Sequence, residues 1–222
     1  MDPARGGSKN QDPPYINVVS QRALVILIVA LALGIPACSP SPPPTGADYV
    51  TRIELVRRAK DDAWQKTDVP VAANRKGEFL PLVYYPVDPA YDVPAELKPS
   101  KDAVTMEMMT STGEMRQMRR VGQLEFSVVG QPQKLTAFVE ATAQDLSRLF
   151  VPFKDQTNGV ESYDGGRYLD LDRTATGLYA LDFNLAYTPN CHFSPTWSCP
   201  LPPRENTLPI EIKAGEKVRK KS

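Results

Sequence analysis

The sequence predicts a mainly β protein of the α+β class, in which an antiparallel meander curls into a barrel or a sandwich after one amphipathic N-terminal helix. Three observations predict this fold. A helical apolar stripe occurs once, early in the chain. Short segments that alternate apolar and polar residues follow it at regular spacing. Proline accounts for 22 of the 222 residues, about twice its usual frequency, which favours a loop-rich domain over a helical bundle.

The predicted helix covers residues 48–65. Tyr49, Ile53 and Trp64 approximate a helical stripe, and charged residues occupy the other faces. Asp48 precedes the stripe in the position of an N-cap. We interpret this helix as a packing element of the domain.

The strands are predicted from alternation and from the turns between them. Met106 and Met108 alternate with polar residues, and a turn at residues 111–114 leads into the returning strand. Alternation accounts for these methionines as core residues, so we expect no copper site in spite of their affinity for Cu(I). Residues 141–148 form either a short helix or a loop crossing. The predicted strands are 79–85, 104–109, 115–121, 124–128, 135–140, 149–153, 167–171, 178–184 and 210–214.

Residues 1–37 are typical of a lipoprotein signal peptide. Arg22 precedes an apolar run over residues 23–35, which is shorter than the roughly 20 residues that cross a bilayer as a helix. The run ends in Ile35-Pro36-Ala37-Cys38, which resembles the bacterial lipobox, and in such signals the cysteine receives a lipid. An uncleaved anchor helix is the alternative. We expect an extracytoplasmic envelope lipoprotein, tethered to a membrane through the lipid on Cys38.

The remaining chain divides into a tether and one domain. Residues 38–46 are rich in proline and serine and predict a short, stiff tether. Residues 47–222 form a single exported globular domain in this interpretation. The formal net charge is zero, so we expect no nucleic-acid partner, and the partners that remain are a small ligand or another envelope protein.

The C-terminal third concentrates polar residues and glycines in linked motifs. These motifs resemble the prokaryotic domain-of-unknown-function family 1684, over roughly residues 48–216, with His192 as a departure from the family pattern. The activity of this family is not established, so the resemblance indicates no particular reaction and no cofactor. The residues that carry it are Phe153, Asp155, Thr157, Gly159, Tyr163, Gly165-Gly166-Arg167-Tyr168, Asp182-Phe183-Asn184, Tyr187, Asn190-Cys191, Cys199-Pro200-Leu201-Pro202-Pro203, Glu205-Asn206 and Ala214-Gly215-Glu216.

Polar residues of this region are the candidates for a ligand-binding site. Their carboxylates suit acid–base chemistry, and they equally suit turns and a buried ion pair of Arg167 with Asp155 or Asp182. Three functions therefore stay open: a ligand-binding or partner-binding module with a polar cleft, a hydrolase with paired carboxylates, and a structural envelope protein. The candidate residues are Asp155, Thr157, Glu161, Tyr163, Arg167, Asp182 and Asn184.

Cys191 and Cys199 are the two cysteines other than Cys38. Thiols outside the cytoplasm tend to oxidise, and we expect a disulfide between these two, with free thiols as an alternative. A metal site would need His192 beside Cys191. Adjacent residues of an extended segment point to opposite faces, so we expect no metal site.

Overall fold

The computed structural model describes residues 46–101, 104–144, 146–172, 174 and 176–219. Cys38, the predicted signal peptide and nearly all of the predicted tether lie outside the described residues. The described helices contain no apolar stretch long enough to cross a membrane.

The domain begins with helix α1, Gly46–Lys66, which confirms the predicted N-terminal helix. Ile53 is its fully buried residue, and near the other end the Trp64 ring packs edge-on against Phe193 at 5.0 Å between ring centres. Arg57 donates to the Tyr85 carbonyl at 2.8 Å. Apolar packing and polar contacts therefore both hold this helix on the domain.

A seven-stranded antiparallel sheet forms most of the domain. Its strands are in the order β7-β6-β5-β4-β2-β8, with β3 paired to β4 outside this path. A separate two-stranded ribbon joins β1 to β9, and one short helix, α2, covers Lys76–Phe79. The strands are β1 Val83–Tyr84, β2 Asp92–Pro99, β3 Thr105–Met109, β4 Met115–Val128, β5 Gln131–Glu140, β6 Arg148–Phe153, β7 Arg167–Asp172, β8 Leu178–Asp182 and β9 Glu216–Lys217.

The large sheet closes almost completely into a barrel, as the sequence predicts. Its end strands, β7 and β8, contact each other although they are not hydrogen-bonded neighbours. Alternate residues of each strand point inward, as the pleat requires; on β4 these are Leu124, Phe126 and Val128. They form one core with residues from every strand of the closed path.

Four predicted strands differ from the structure. The strand at 79–85 is wrong in its first half, where Phe79 ends α2 and Pro81 lacks the N–H that a sheet ladder needs. The predicted strands at 115–121 and 124–128 are one strand, β4, with a register shift between Arg120 and Gly122. Residues 210–214 form no strand: the carbonyls of Ile212 and Ala214 accept from the Arg167 side chain, and the carbonyl of Ile210 accepts from the Gln156 N–H.

Strand β2 is the strand of the large sheet that the sequence patterns do not predict. Pro94 and Pro99 interrupt its sequence and argue against a central strand. In the structure Pro94 pairs only with Ala180 of β8, since the pairing of β2 with β4 begins at Ala95. The missing N–H of Pro94 therefore costs the sheet no bond toward β4.

Candidate functional site

Arg167, at the start of β7, is the centre of a buried hydrogen-bond network. Its Nη2 donates to Asp155 Oδ2 at 2.7 Å and to the Ile212 carbonyl at 2.8 Å. Its Nη1 donates to the Ala214 carbonyl. The Arg167 and Asp155 side chains are both 0% exposed. This is a structural ion pair that ties the C-terminal segment to the barrel, and it offers no surface to a solute.

Thr157 and Glu161 belong to a tight loop that follows Asp155. Asp155 Oδ1 accepts from the Thr157 N–H at 2.8 Å, and the Thr157 hydroxyl contacts the Ser162 hydroxyl at 2.7 Å. Glu161 forms an ion pair with Lys217 at 3.0 Å. The polar groups of this loop therefore stabilise the loop itself and its contact with the C-terminal ribbon.

Asp182 and Asn184 lie at the end of β8 and hold the start of α1. Asp182 Oδ1 accepts from the Tyr49 hydroxyl at 2.8 Å and from the Asn184 N–H at 2.9 Å. The Asn184 amide donates to the Asp88 carbonyl at 2.8 Å and accepts from the Asp88 N–H at 3.0 Å. Burial and the Asp182 carboxylate raise the pKa of Tyr49, so its phenol stays protonated and keeps donating.

Two motif glycines permit close backbone approaches within the same region. Gly166 has φ +98°, and a Cβ there would lie 2.7 Å from the Phe153 carbonyl oxygen. Gly215 has φ +79°, and its Cβ would lie 2.5 Å from the Ala186 carbonyl oxygen. Both positions need the left-handed conformation and the missing side chain that glycine provides.

The seven predicted residues therefore do not meet in one open cleft. Five of them belong to the networks around Arg167 and Asn184, and Glu161 lies at the C-terminal ribbon. Tyr163 is apart from these, with its hydroxyl 3.9 Å from Cys191 Sγ and its ring 4.8 Å from the His192 ring.

An open cleft of about 570 Å³ lies instead on the outer side of the sheet, against the C-terminal loops. This volume is within the range of small-molecule sites. None of the seven predicted residues lines it. The lining residues that carry its chemistry are Arg116, Glu140, Arg148, Phe150, Tyr168, Asp170, Tyr187, Asn190, Trp197 and Cys199.

Aromatic rings form one wall of this cleft. Phe150 and Tyr168 pack edge to face at 4.7 Å between ring centres, and Tyr168 packs in the same way on Tyr187 at 5.7 Å. The Tyr168 hydroxyl donates to the Pro200 carbonyl at 2.5 Å, which fixes its ring. Trp197 remains 38% exposed at the edge. The wall presents rigid π surfaces that suit a flat ligand.

Two arginines and two carboxylates supply the charges of the cleft. Arg148 Nη2 donates to Asp170 Oδ2 at 3.0 Å, and the Tyr187 hydroxyl donates to the same oxygen at 2.9 Å. Arg116 Nη1 lies 3.7 Å from Glu140 Oε1, and Arg116 Nη2 donates to the Ser198 carbonyl at 2.8 Å. Burial, followed by the Asp170 charge, raises the pKa of Tyr187, so this phenol stays neutral. The formal charges of the lining residues cancel.

The two cysteines lie beside the cleft, and both are free thiols in this structure. The predicted disulfide is therefore not formed here, although the Cys191 N–H donates to Cys199 Sγ at 3.2 Å. A hydrogen bond from the Cys199 thiol lowers the pKa of Cys191 to about 6, against the opposing effect of burial. The same bond and burial raise the pKa of Cys199. The lowered pKa favours Cys191 over Cys199 as the thiolate of the pair.

The sequence patterns miss the cleft because it collects residues that are far apart in the chain. Arg116 is on β4, Arg148 on β6 and Tyr187 in a C-terminal loop. The one available signal was the set of motif residues that line it, namely Tyr168, Tyr187, Asn190, Cys199 and Pro200.

Comparisons with known proteins agree with the resemblance seen in the motifs. The family model described as "Protein of unknown function (DUF1684)" matches residues 77–217. The solution NMR structure of an uncharacterized protein from gene locus rrnAC0354 of Haloarcula marismortui is similar, with 36% sequence identity and a TM-score of 0.61. The alignment covers 77% of this chain and 95% of that protein. No curated protein matches this chain. On these matches, the chain belongs to the DUF1684 family of proteins of unknown function.

Proposed function

We propose that this protein is an envelope lipoprotein that binds a small aromatic zwitterion, such as an aromatic amino acid, in the cleft beside Trp197. The observation that carries the proposal is the combination of a rigid aromatic wall with charges of both signs in one open cleft. Such a cleft offers a ring surface, guanidinium donors and carboxylate acceptors at the same time.

The balance of charges favours a zwitterion over an anion. Arg116 and Arg148 would hold a ligand carboxylate, but Glu140 and Asp170 stand beside them and would repel a second anion. A ligand ammonium relieves this repulsion, because it takes the place of an arginine at one of the two carboxylates. The Arg116–Glu140 contact is 3.7 Å long and both side chains are more than a third exposed, so it is weak and easily opened.

The carboxylates that the sequence suggested for hydrolysis do not support an enzyme. Asp155 and Asp182 are each 6% exposed and are held by hydrogen bonds within the domain. Glu161 is paired with Lys217. A hydrolase that acts through paired carboxylates would need two of them to reach a substrate on opposite sides of the bond it cleaves.

The binding proposal is tested with L-tryptophan and two partial analogues, tryptamine and indole-3-propionate. We expect L-tryptophan to bind best in isothermal titration calorimetry, because each analogue lacks one of the two charges. The Arg116→Gln variant should weaken binding about tenfold, from the loss of a charged hydrogen bond, whereas Lys134→Gln, which removes an exposed charge outside the cleft, should not. No binding of L-tryptophan, or binding of either analogue as tight as that of L-tryptophan, would contradict the proposal.

The membrane anchor is a separate part of the proposal and depends on Cys38. Lipid on this thiol would place the domain on a membrane surface, with the proline-rich residues 38–46 as the spacer. The Cys38→Ser variant should remain unprocessed and should no longer carry a lipid. Unchanged processing and unchanged mass of the mature protein would contradict the lipoprotein assignment.

Export would also oxidise the Cys191–Cys199 pair. Cys199 Sγ already accepts a hydrogen bond from the Cys191 N–H at 3.2 Å, and Cys191, whose pKa is lowered, supplies the thiolate that attacks an oxidant disulfide. Non-reducing mass spectrometry of the protein from the envelope should show the two residues in one linked peptide. Two free thiols in that fraction would contradict this part of the proposal.

A further inference from the structure

We infer that the open mouth of the barrel is a second binding site, which takes a single-chain amphiphile with a carboxylate head, such as a medium-chain fatty acid. This site lies apart from the aromatic cleft and does not depend on the function proposed for it. It is a concavity of about 640 Å³ at one end of the barrel, a position where barrel proteins commonly bind small ligands.

The ends of several strands define this mouth. Leu97 and Pro99 lie at the end of β2, Leu149 near the start of β6 and Tyr179 near the start of β8. Leu149 is 0% exposed and Tyr179 is 5% exposed, and both belong to the barrel core. The floor of the concavity is therefore the apolar interior of the barrel itself.

Partly buried apolar side chains continue this surface up to the rim. Leu97, Val121 and Leu146 pack against the core from its edge and also line the mouth. Apolar surface that is left half covered in this way gains from an aliphatic chain laid over it, at about 25 cal/mol for each Å² removed from water. This argues for an alkyl tail rather than for a polar solute.

The rim supplies the complementary charge for an acidic head group. Arg119 and Arg120 are the charged residues among the described residues that line the mouth, and both are basic. The register shift of β4 between Arg120 and Gly122 explains why consecutive residues all reach it, since a bulge turns side chains that would otherwise alternate. Arg120 Nη2 already donates to Glu205 Oε1 at 2.6 Å. Because Arg120 is paired with this carboxylate, Arg119 is the principal partner for the carboxylate of a ligand.

Arg119 is suited to this role because its present bond is to a neutral group. Its Nη2 donates to the Ala143 carbonyl at 3.0 Å, in the loop that also carries Leu146. A guanidinium has five N–H donors in a fork that matches a carboxylate. The head group therefore sits against the fork of Arg119 while the tail lies across Leu146 and Leu97.

Binding of dodecanoate to the full chain, below its micelle concentration, tests the inference. We expect dodecanoate to bind, and dodecanol and hexanoate to bind at least tenfold more weakly, since one lacks the head charge and the other most of the tail. Arg119→Gln should weaken dodecanoate about tenfold, the effect of one lost charged hydrogen bond. Leu146→Asn should weaken it as well, because this substitution removes apolar surface from the rim.

The cleft variant Arg116→Gln is the matched control, because it removes the same charge from the same strand. It should leave the affinity for dodecanoate unchanged. The inference is overturned by no dodecanoate binding, by equal affinity for dodecanol or hexanoate, or by an unaltered affinity in Arg119→Gln. A loss of affinity in Arg116→Gln also overturns it, since the amphiphile would then occupy the cleft. Failure of L-tryptophan to bind the cleft has no bearing on these results.

Discussion

Replacement of Asn206 by alanine should destabilise the domain far more than the loss of one surface amide. Asn206 is 0% exposed, and its side chain joins β5 to β6. Its Oδ1 accepts from the Thr136 N–H at 2.7 Å, and its Nδ2 donates to the Thr136 carbonyl at 2.9 Å and to the Pro152 carbonyl at 2.7 Å. The two strands pair directly only at Phe138 and Phe150, so the amide replaces missing ladder bonds.

The magnitude follows from the three buried backbone groups that the Asn206→Ala variant leaves without partners. Each unsatisfied buried group costs about 1–3 kcal/mol, so a loss of about 3–5 kcal/mol is expected after partial relaxation. In a domain of this size 1 kcal/mol corresponds to roughly 2–4 °C, and the melting temperature should fall by about 10 °C.

Thermal unfolding followed by circular dichroism measures this effect, with Asn74→Ala as the control, since Asn74 is exposed. The control should melt within about 2 °C of the unaltered protein, as surface substitutions usually do. A fall of less than about 3 °C in Asn206→Ala would refute the reasoning, because water or a rearranged loop would then satisfy Thr136 and Pro152.

Three further predictions concern other parts of the network. Arg167→Lys should lower the free energy of unfolding in urea by about 3 kcal/mol, because a lysine leaves Asp155 and the carbonyls partly unpaired; an unchanged urea midpoint would contradict this. Alkylation of Cys191 by iodoacetamide in the reduced protein should rise with pH around a midpoint near 6, since a lowered pKa gives thiolate above that pH, and a midpoint above 8 would show an ordinary thiol. Tyr49→Phe should cost about 1–2 kcal/mol through its bond to Asp182, and an unchanged melting temperature would mean that this bond does not stabilise the domain.

Local periodicity was sufficient to predict α1 and most of the meander. The stripe around Ile53 and the alternation of Met106 and Met108 are properties of neighbouring residues, and the structure has a helix and a strand there. Strand β2 was missed because Pro94 and Pro99 break the pattern, and only the pairing to β8 and β4 shows how the sheet tolerates them.

The candidate site was harder to predict because polarity does not distinguish a site from a buried network. Asp155 and Arg167 have residue types that occur in functional sites as well as in structural ion pairs, and the sequence is compatible with both roles. Burial distinguishes a structural ion pair from an open site. The burial of Asp155 and Arg167 depends in turn on the position of residues 212–214. Arg116 and Arg148, which line the cleft, have no motif around them, so nothing local marks them.

The polar motifs of the C-terminal third are best explained by the backbone that they serve. From Phe183 to the end of the described chain, the only strand is the two-residue β9, so most N–H and C=O groups of this segment find no ladder partner. Buried backbone groups must nevertheless be bonded. Arg167 donates hydrogen bonds to the carbonyls of Ile212 and Ala214, and the Glu216 carboxylate accepts a hydrogen bond from the Thr188 N–H at 2.8 Å.

This network also sets the shape of the cleft, because the loops that it fixes form one side of it. Glu216, which holds the Thr188 N–H, follows the residues bonded to Arg167, and the loop that it anchors continues into Pro189 and Asn190 of the lining. A buried substitution such as Arg167→Lys should therefore loosen the cleft without touching a ligand. Under the proposed function, selectivity comes from exposed lining residues such as Arg116 and Arg148 and not from the buried network.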